Sequence, residues 1–157
     1  MANNSEGTTV MLIRHADRTS SATDQDPGPP LNTKGKARAQ ELIHVLGTSG
    51  IEAVYHSHFT RAKQTAAPLA VHLSGITKKQ LDDAPAIQND ILANHAGKAV
   101  LVIGHSNTVP ALITLLAGGE MSAINDDEFD NLFIVTVLGP GKASVTHLKY
   151  GERTPRA

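Results

Sequence analysis

Three short stretches of this 157-residue chain carry side chains able to handle an oxyanion. Arg14 and His15 stand directly after a β-branched apolar run, Thr8 to Ile13. Ser57 and Arg61 follow a second run, Ile51 to His56, and His105 sits between Gly104 and Ser106 after a third, Ala99 to Gly104. Guanidinium forks match phosphate oxygens in paired hydrogen bonds and stay charged at any working pH. An imidazole near neutrality can be an uncharged nucleophile or a charged donor. Two of each in one place would suit a phosphoryl group.

Each stretch alone has an ordinary explanation. An Arg-His pair can be a solvated exit from a strand, and Ser57, Arg61 and Thr65, four apart, can decorate a helix face. Gly104-His105-Ser106 can be a tight turn. Arg61 is the informative one. It is expected in a helix's first turn, where the macrodipole disfavours a cation by about 0.3–1 kcal/mol. A bound anion would reverse that sign, so the functional reading depends on the three stretches converging.

Convergence depends on the elements that hold them. Residues 8–13, 51–56 and 99–104 read as buried strands and 76–82 as a short edge strand. Helices are expected from Thr33, as N-cap, to Leu46, from about Ser57 to Leu73 with a kink at Pro68, from about Ala86 to His95, and from Thr108 to Leu116. Pro110 is tolerated in the first turn of the last. Residues 19–30 (TSSATDQDPGPP) read as a loop. Two tail strands, Leu132–Leu138 and Ala143–Tyr150, are joined by a turn at Gly139-Pro-Gly. This alternation predicts an α/β fold, a three-layer α/β/α sandwich with a mainly parallel central sheet. One domain is expected over 1–157, with residues 1–7 flexible. Such sheets bind ligands beyond the carboxyl ends of their strands, where all three stretches stand.

Composition narrows the function classes. A formal net charge of −1 gives no general attraction to nucleic acid or an anionic membrane, so neither is an expected partner. With no cysteine, disulfides, thiolate metal sites and a cysteine nucleophile are excluded. No apolar run approaches the roughly 18 residues that span a bilayer. The first residues lack the apolar core of a signal peptide, so a cytoplasmic location is expected. Oligomeric state is not encoded in any of these features.

The ordered motifs carry a resemblance. Leu12-Ile-Arg-His-Ala is similar to the Arg-His-Gly signature of the histidine phosphatase (phosphoglycerate-mutase-like) superfamily, with Ala16 in place of the glycine. Leu31-Asn-Thr-Lys-Gly-Lys-Ala-Arg-Ala resembles its L-T-x-x-G-x-x-Q-A stretch. Ser57-His-Phe-Thr-Arg-Ala-Lys-Gln-Thr-Ala matches S-x-x-x-R-A-x-x-T-A, and Gly104-His105-Ser106 matches the second-histidine motif. The set keeps the family's order over about residues 8 to 118.

The resemblance implies that His15 attacks phosphorus and becomes phosphohistidine, while Arg14, Arg61 and His105 hold the oxygens. No metal and no cofactor are then required. A proton donor for the leaving group is expected at Asp17, two residues from the nucleophile, with Asp82, Asp83 and Asp90 as alternatives. The short chain, without an insertion for a lid, resembles the short phosphohistidine phosphatases. That implies an open pocket and a substrate that is phosphohistidine or another accessible phosphorylated group, on a small molecule or a protein.

Two rival readings belong to other classes. A non-catalytic phosphate-binding module could keep the same pocket without turnover. Metal-dependent hydrolysis could use some of the eight histidines, His56 and His58 above all, which a strand would point to one side. No H-E-x-x-H motif supports it. The acidic run Asp126-Asp127-Glu128, with Asp130, lacks the spacing of a calcium loop and reads as a solvated loop before a strand.

Overall fold

A computed structural model describes residues 7–20, 27–139 and 141–155. Residues 1–6, the middle of the expected 19–30 loop (21–26), residue 140 of the expected turn and residues 156–157 lie outside the described residues. The elements run β1 (Thr8–Arg14), α1 (Thr33–Leu46), β2 (Ile51–His56), α2 (Thr60–His72), β3 (Thr77–Gln80), α3 (Ala84–Asn94), β4 (Ala99–Gly104), α4 (Thr108–Ala117), β5 (Asn131–Gly139) and β6 (Lys142–Lys149).

One six-stranded sheet has the order β3-β2-β4-β1-β5-β6. Strands β3, β2, β4 and β1 are parallel, β5 is antiparallel to β1, and β6 is antiparallel to β5. The expected α/β architecture with a mainly parallel core is what forms. Side-chain alternation divides the interior in two. Val10 and Leu12 of β1, with Val100 and Val102 of β4, pack against Ile87, Ile91, Val109 and Leu112 of α3 and α4. Met11, Ile13, Leu101 and Ile103 face the other way, onto Leu42 of α1 and Leu69 of α2. Each fully buried Leu or Ile contributes roughly 1.5–3 kcal/mol, so these two layers hold the sheet rigidly. Strand β6 closes one edge and is exposed along most of its length.

Local chemistry moves some expected boundaries. Asn32, not Thr33, caps α1, its side chain accepting from Gly35 N at 2.8 Å. Asp83 caps α3 through Ala86 N at 3.0 Å, so that helix begins at Ala84 with Pro85 in its first turn, where no amide donor is needed. Helix α2 starts at Thr60 rather than Ser57 and continues past Pro68 to His72. Among the described residues, no helix is long and apolar enough to cross a membrane.

Candidate functional site

Parallel register brings the strand ends level. Arg14 lies opposite Gly104, and His56 lies opposite Ile103. His15 N donates to Gly104 O at 2.9 Å, continuing the pairing one residue past β1. Gly104 is needed because α4 begins so close: a Cβ there would come within 2.8 Å of Thr108 Oγ1. That hydroxyl accepts from His105 N at 2.8 Å and so sets where the second histidine leaves the sheet.

Both ring nitrogens of His15 have defined partners. Nδ1 donates to Ala16 O at 2.8 Å, and Nε2 accepts from Arg61 Nε at 3.2 Å. The two bonds require the same tautomer, with the proton on Nδ1 and the lone pair on Nε2. Burial, together with the positive charges of His105, Arg14 and Arg61, holds the imidazole well below its ordinary pKa, against the opposing Ala16 bond. His15 is therefore neutral and unprotonated at Nε2.

The surrounding cations are aimed by backbone and aromatic groups. Arg14 continues the Val10 and Leu12 face of β1. Its Nη1 donates to the carbonyls of Asn125, Asp126 and Glu128 at 3.1, 2.9 and 2.9 Å. Its guanidinium lies 4.2 Å from the Phe129 ring centroid, while the Arg61 guanidinium lies 4.4 Å from that of Phe59. Such stacking contributes roughly 0.5–2 kcal/mol and keeps a planar fork in one orientation. Arg14 Nε is buried and has no hydrogen-bond partner among the described residues. An orphaned N–H of this kind costs about 1–3 kcal/mol, a cost removed when an anion accepts from it.

His105 stands across from His15, ring centroids 5.1 Å apart. Its Nε2 lies 2.7 Å from Ser57 Oγ, and its ring meets Phe59 edge-on. Burial and the charges of Arg61 and Arg14 push its pKa down to about 4. These groups, with Arg18, Asp82, Ser106 and Asp126, line a partly open cavity of about 360 Å³. The structure thus gathers Arg14, His15, Arg61 and His105, and adds Arg18. Three guanidiniums and an orphaned donor give this cavity the chemistry to hold an anion.

The expected carboxylates are dispersed. Asp17 does not line the cavity, contrary to the expectation of a proton donor there. Its Oδ1 accepts from Arg38 Nε at 2.6 Å, and both side chains are buried beneath α1. Proximity in sequence does not suffice, because the carboxylate is directed to Arg38 of α1 and not into the pocket. Asp83 is the cap of α3. Asp90 is bonded by Tyr55 Oη, Lys79 and Asn94, away from the cavity. Asp82 does line the cavity, and its Oδ1 accepts from both His58 N and His58 Nδ1 at 2.8 Å. Burial alone would raise its pKa, but these bonds and the charges of His58 and His105 outweigh it and hold the carboxyl below its ordinary value.

His56 and His58 do not act as a pair. Strand β2 ends at His56, whose Nδ1 donates to Ser57 O at 2.9 Å, whereas His58 turns to Asp82. Among the described residues, no three His, Asp or Glu side chains gather as a metal would need. Ser57 precedes α2 instead of sharing a helical face with Arg61. Phe59 and Phe129 have no sequence signal, and the acidic run before β5 meets the site through the carbonyls of Asn125, Asp126 and Glu128 and through Asp126 in the cavity wall. No side-chain pattern announces those carbonyl contacts.

Comparison with known proteins agrees with this geometry. Residues 10–84 match the histidine phosphatase superfamily (branch 1). That stretch includes Arg14, His15 and Arg61 and ends before His105. No curated protein matches the chain by sequence. Among solved structures, the protein histidine phosphatase SixA complexed with tungstate is similar at 23% identity and a TM-score of 0.73, over 90% of this chain and 96% of that one. A candidate phosphohistidine phosphatase SixA from Nakamurella multipartitia is similar at 20% identity and a TM-score of 0.68, over 94% and 97%. The phosphoglycerate mutase of Plasmodium falciparum is similar at 14% identity and a TM-score of 0.66, over 96% of each chain.

Proposed function

We propose that the chain is a histidine phosphatase, a metal-independent phosphatase acting through a phosphohistidine intermediate on His15. The observation that carries the reading is the His15 tautomer: Nδ1 is spent on Ala16 O, and the Nε2 lone pair faces a cationic cavity. In the first step that lone pair forms the bond to phosphorus as the bond to the leaving group breaks, and the electron pair departs with that group. In the second, water attacks phosphorus, the P–N bond breaks, its electrons return to Nε2, and inorganic phosphate leaves.

Arg14, Arg61 and His105 hold the phosphoryl oxygens through both steps. Preorganised donors of this kind supply several kcal/mol of barrier lowering, about 2.7–4 kcal/mol for one donor in a favourable case. A dianion in the cavity also favours the charged form of His105, which is neutral without it. The Arg14 Nε donor gains its missing acceptor in the same event.

Asp82 takes the proton-donor position that Asp17 does not fill. Its bonds to His58 hold it ionised at neutral pH, so it is a poor acid there. That favours leaving groups needing little protonation, such as the imidazole of phosphohistidine or an aryl oxide, over alkoxides. The open cavity and the likeness to SixA proteins support a phosphohistidine substrate on a protein or another accessible phosphorylated group.

The test is to incubate the purified protein, with a chelator present, with a phosphohistidine peptide, an aryl phosphate and a sugar phosphate. Expected are turnover that survives chelation, an acid-labile phosphoenzyme absent in His15→Ala, and a preference against the sugar phosphate. Phosphate binding without any phosphoenzyme would identify a non-catalytic phosphate-binding module instead.

A further inference from the structure

We infer that the buried Arg38–Asp17 ion pair is a positioning device that locks His15 in its Nδ1-protonated tautomer. The inference rests on the reading of His15 as nucleophile. The acceptor of the Nδ1 proton, Ala16 O, belongs to the peptide joining Ala16 to Asp17. Rotation of that peptide would remove the acceptor. Either ring nitrogen could then carry the proton, and a proton on Nε2 abolishes the nucleophilic lone pair.

The peptide is pinned on both sides. Ahead of it, Ala16 N donates to Thr65 Oγ1 at 2.9 Å, a hydroxyl that itself donates to Arg61 O at 2.7 Å. Behind it, Asp17 is held through its side chain by Arg38 Nε at 2.6 Å and through its carbonyl by Asn32 N at 3.0 Å. Arg38 is anchored in turn, its Nη1 donating to Tyr150 O at 3.1 Å and its guanidinium lying 5.7 Å from the Tyr150 ring centroid. The chain thus runs from the end of β6, through Arg38 and Asp17, to the peptide that orients His15.

Stability is a weak reason for such a pair. The Arg38 and Asp17 side chains are only 1% and 9% exposed, and two charges so dry lose nearly as much hydration as they gain in attraction. An apolar pair of similar volume would pack as well. What the ion pair adds is a fixed direction, since the guanidinium is tied at two points, to Asp17 Oδ1 and to Tyr150 O. Neither residue lines the cavity, so neither acts on substrate directly.

The experiment compares wild type, Asp17→Asn and Arg38→Lys, each checked for native circular dichroism. The ring nitrogens of His15 are read by nitrogen-15 NMR, and the rate of phosphoenzyme formation is measured with an aryl phosphate. Wild type should show one tautomer, protonated at Nδ1. The variants should show a mixture, and a phosphoenzyme rate reduced at least tenfold, toward the roughly 10⁴-fold loss that a wrong histidine tautomer causes in a serine protease triad. Affinity for inorganic phosphate should change little, because no phosphate donor is altered. Arg38→Lys keeps the charge and carries the comparison should Asp17→Asn fail to fold. A folded variant that keeps both the wild-type tautomer and the wild-type rate overturns the inference. Absence of any phosphoenzyme in wild type would instead defeat the functional reading, with the tautomer comparison still deciding this one.

Discussion

Arg61 Nε donates to His15 Nε2 at 3.2 Å, so the guanidinium rests on the lone pair that an incoming phosphorus would take. In the proposed mechanism this bond lies along the direction of attack. Under the proposed mechanism, a phosphoryl group entering the cavity would draw the guanidinium onto its oxygens and leave the imidazole free to react. Removing Arg61 should therefore slow bond making more than it weakens ground-state binding. Arg61→Ala should lose about 10²–10³-fold in kcat, the range for one preorganised donor, with a smaller rise in KM. Stopped-flow measurement of phosphoenzyme formation separates the two, and an effect confined to KM would reduce Arg61 to a simple anchor.

Protonation of the two site histidines offers a second check. Burial and neighbouring cations lower both, His15 well below 6.5 and His105 to about 4. Proton NMR of the free protein should show neither imidazole gaining a proton as pH falls from 8 to 6. Vanadate should raise both midpoints, because an anion then offsets the cations. A His105 midpoint near 6.5 in the free protein would contradict the buried, cation-flanked environment.

Stability follows with a definite sign. Unfolded histidine takes up a proton near pH 6.5, while folded His105 resists it until about 4. Between those values the unfolded state binds more protons, so stability falls as pH is lowered through that window and is fully present above it. The lowered carboxyls of Asp82, Asp90 and Asp130 act further down, below their ordinary 3.8. Thermal melts of wild type should decline from pH 6.5 to 4, and His105→Asn should flatten the slope. An unchanged slope would move its origin to other groups.

Asp82 should matter only where the leaving group needs help. Asp82→Asn is expected to slow a sugar phosphate or another alkyl ester by about 10²-fold, the low end of the usual 10²–10⁴-fold reach of general acid–base catalysis. A phosphoramidate should change by no more than about threefold, since general acid–base assistance contributes little to a good leaving group. Equal losses on both substrates would give Asp82 an electrostatic role instead of a proton-transfer one.

Gly35 tests the packing of the nucleophile loop on α1. A Cβ at this position would stand 1.9 Å from Asp17 O, and that atom is backbone already held by Asn32 N. Gly35→Ala, although favoured by helix propensity, should destabilise the protein by about 1–3 kcal/mol, the usual cost of overpacking. Urea unfolding would read this as a lower midpoint at unchanged slope.

Reading the chain alone went furthest where a pattern is local. The apolar runs of β1, β2 and β4, and the Arg-His, Ser-x-x-x-Arg and Gly-His-Ser stretches after them, are each contiguous in sequence. Their convergence follows once the sheet is parallel, because register alone brings Arg14 level with Gly104. That much of the fold and the cationic set needed no coordinates. Among four candidate carboxylates, by contrast, sequence proximity favours Asp17, which does not line the cavity. Which one meets the cavity depends on side-chain direction: Asp17 goes to Arg38, while the exit of β3 brings Asp82 to the cavity. The tautomer of His15, the aromatic plates under the guanidiniums and the carbonyls of 125–128 are likewise tertiary decisions. They join segments up to 114 residues apart through hydrogen bonds and ring contacts, and no one-dimensional periodicity records such a distance.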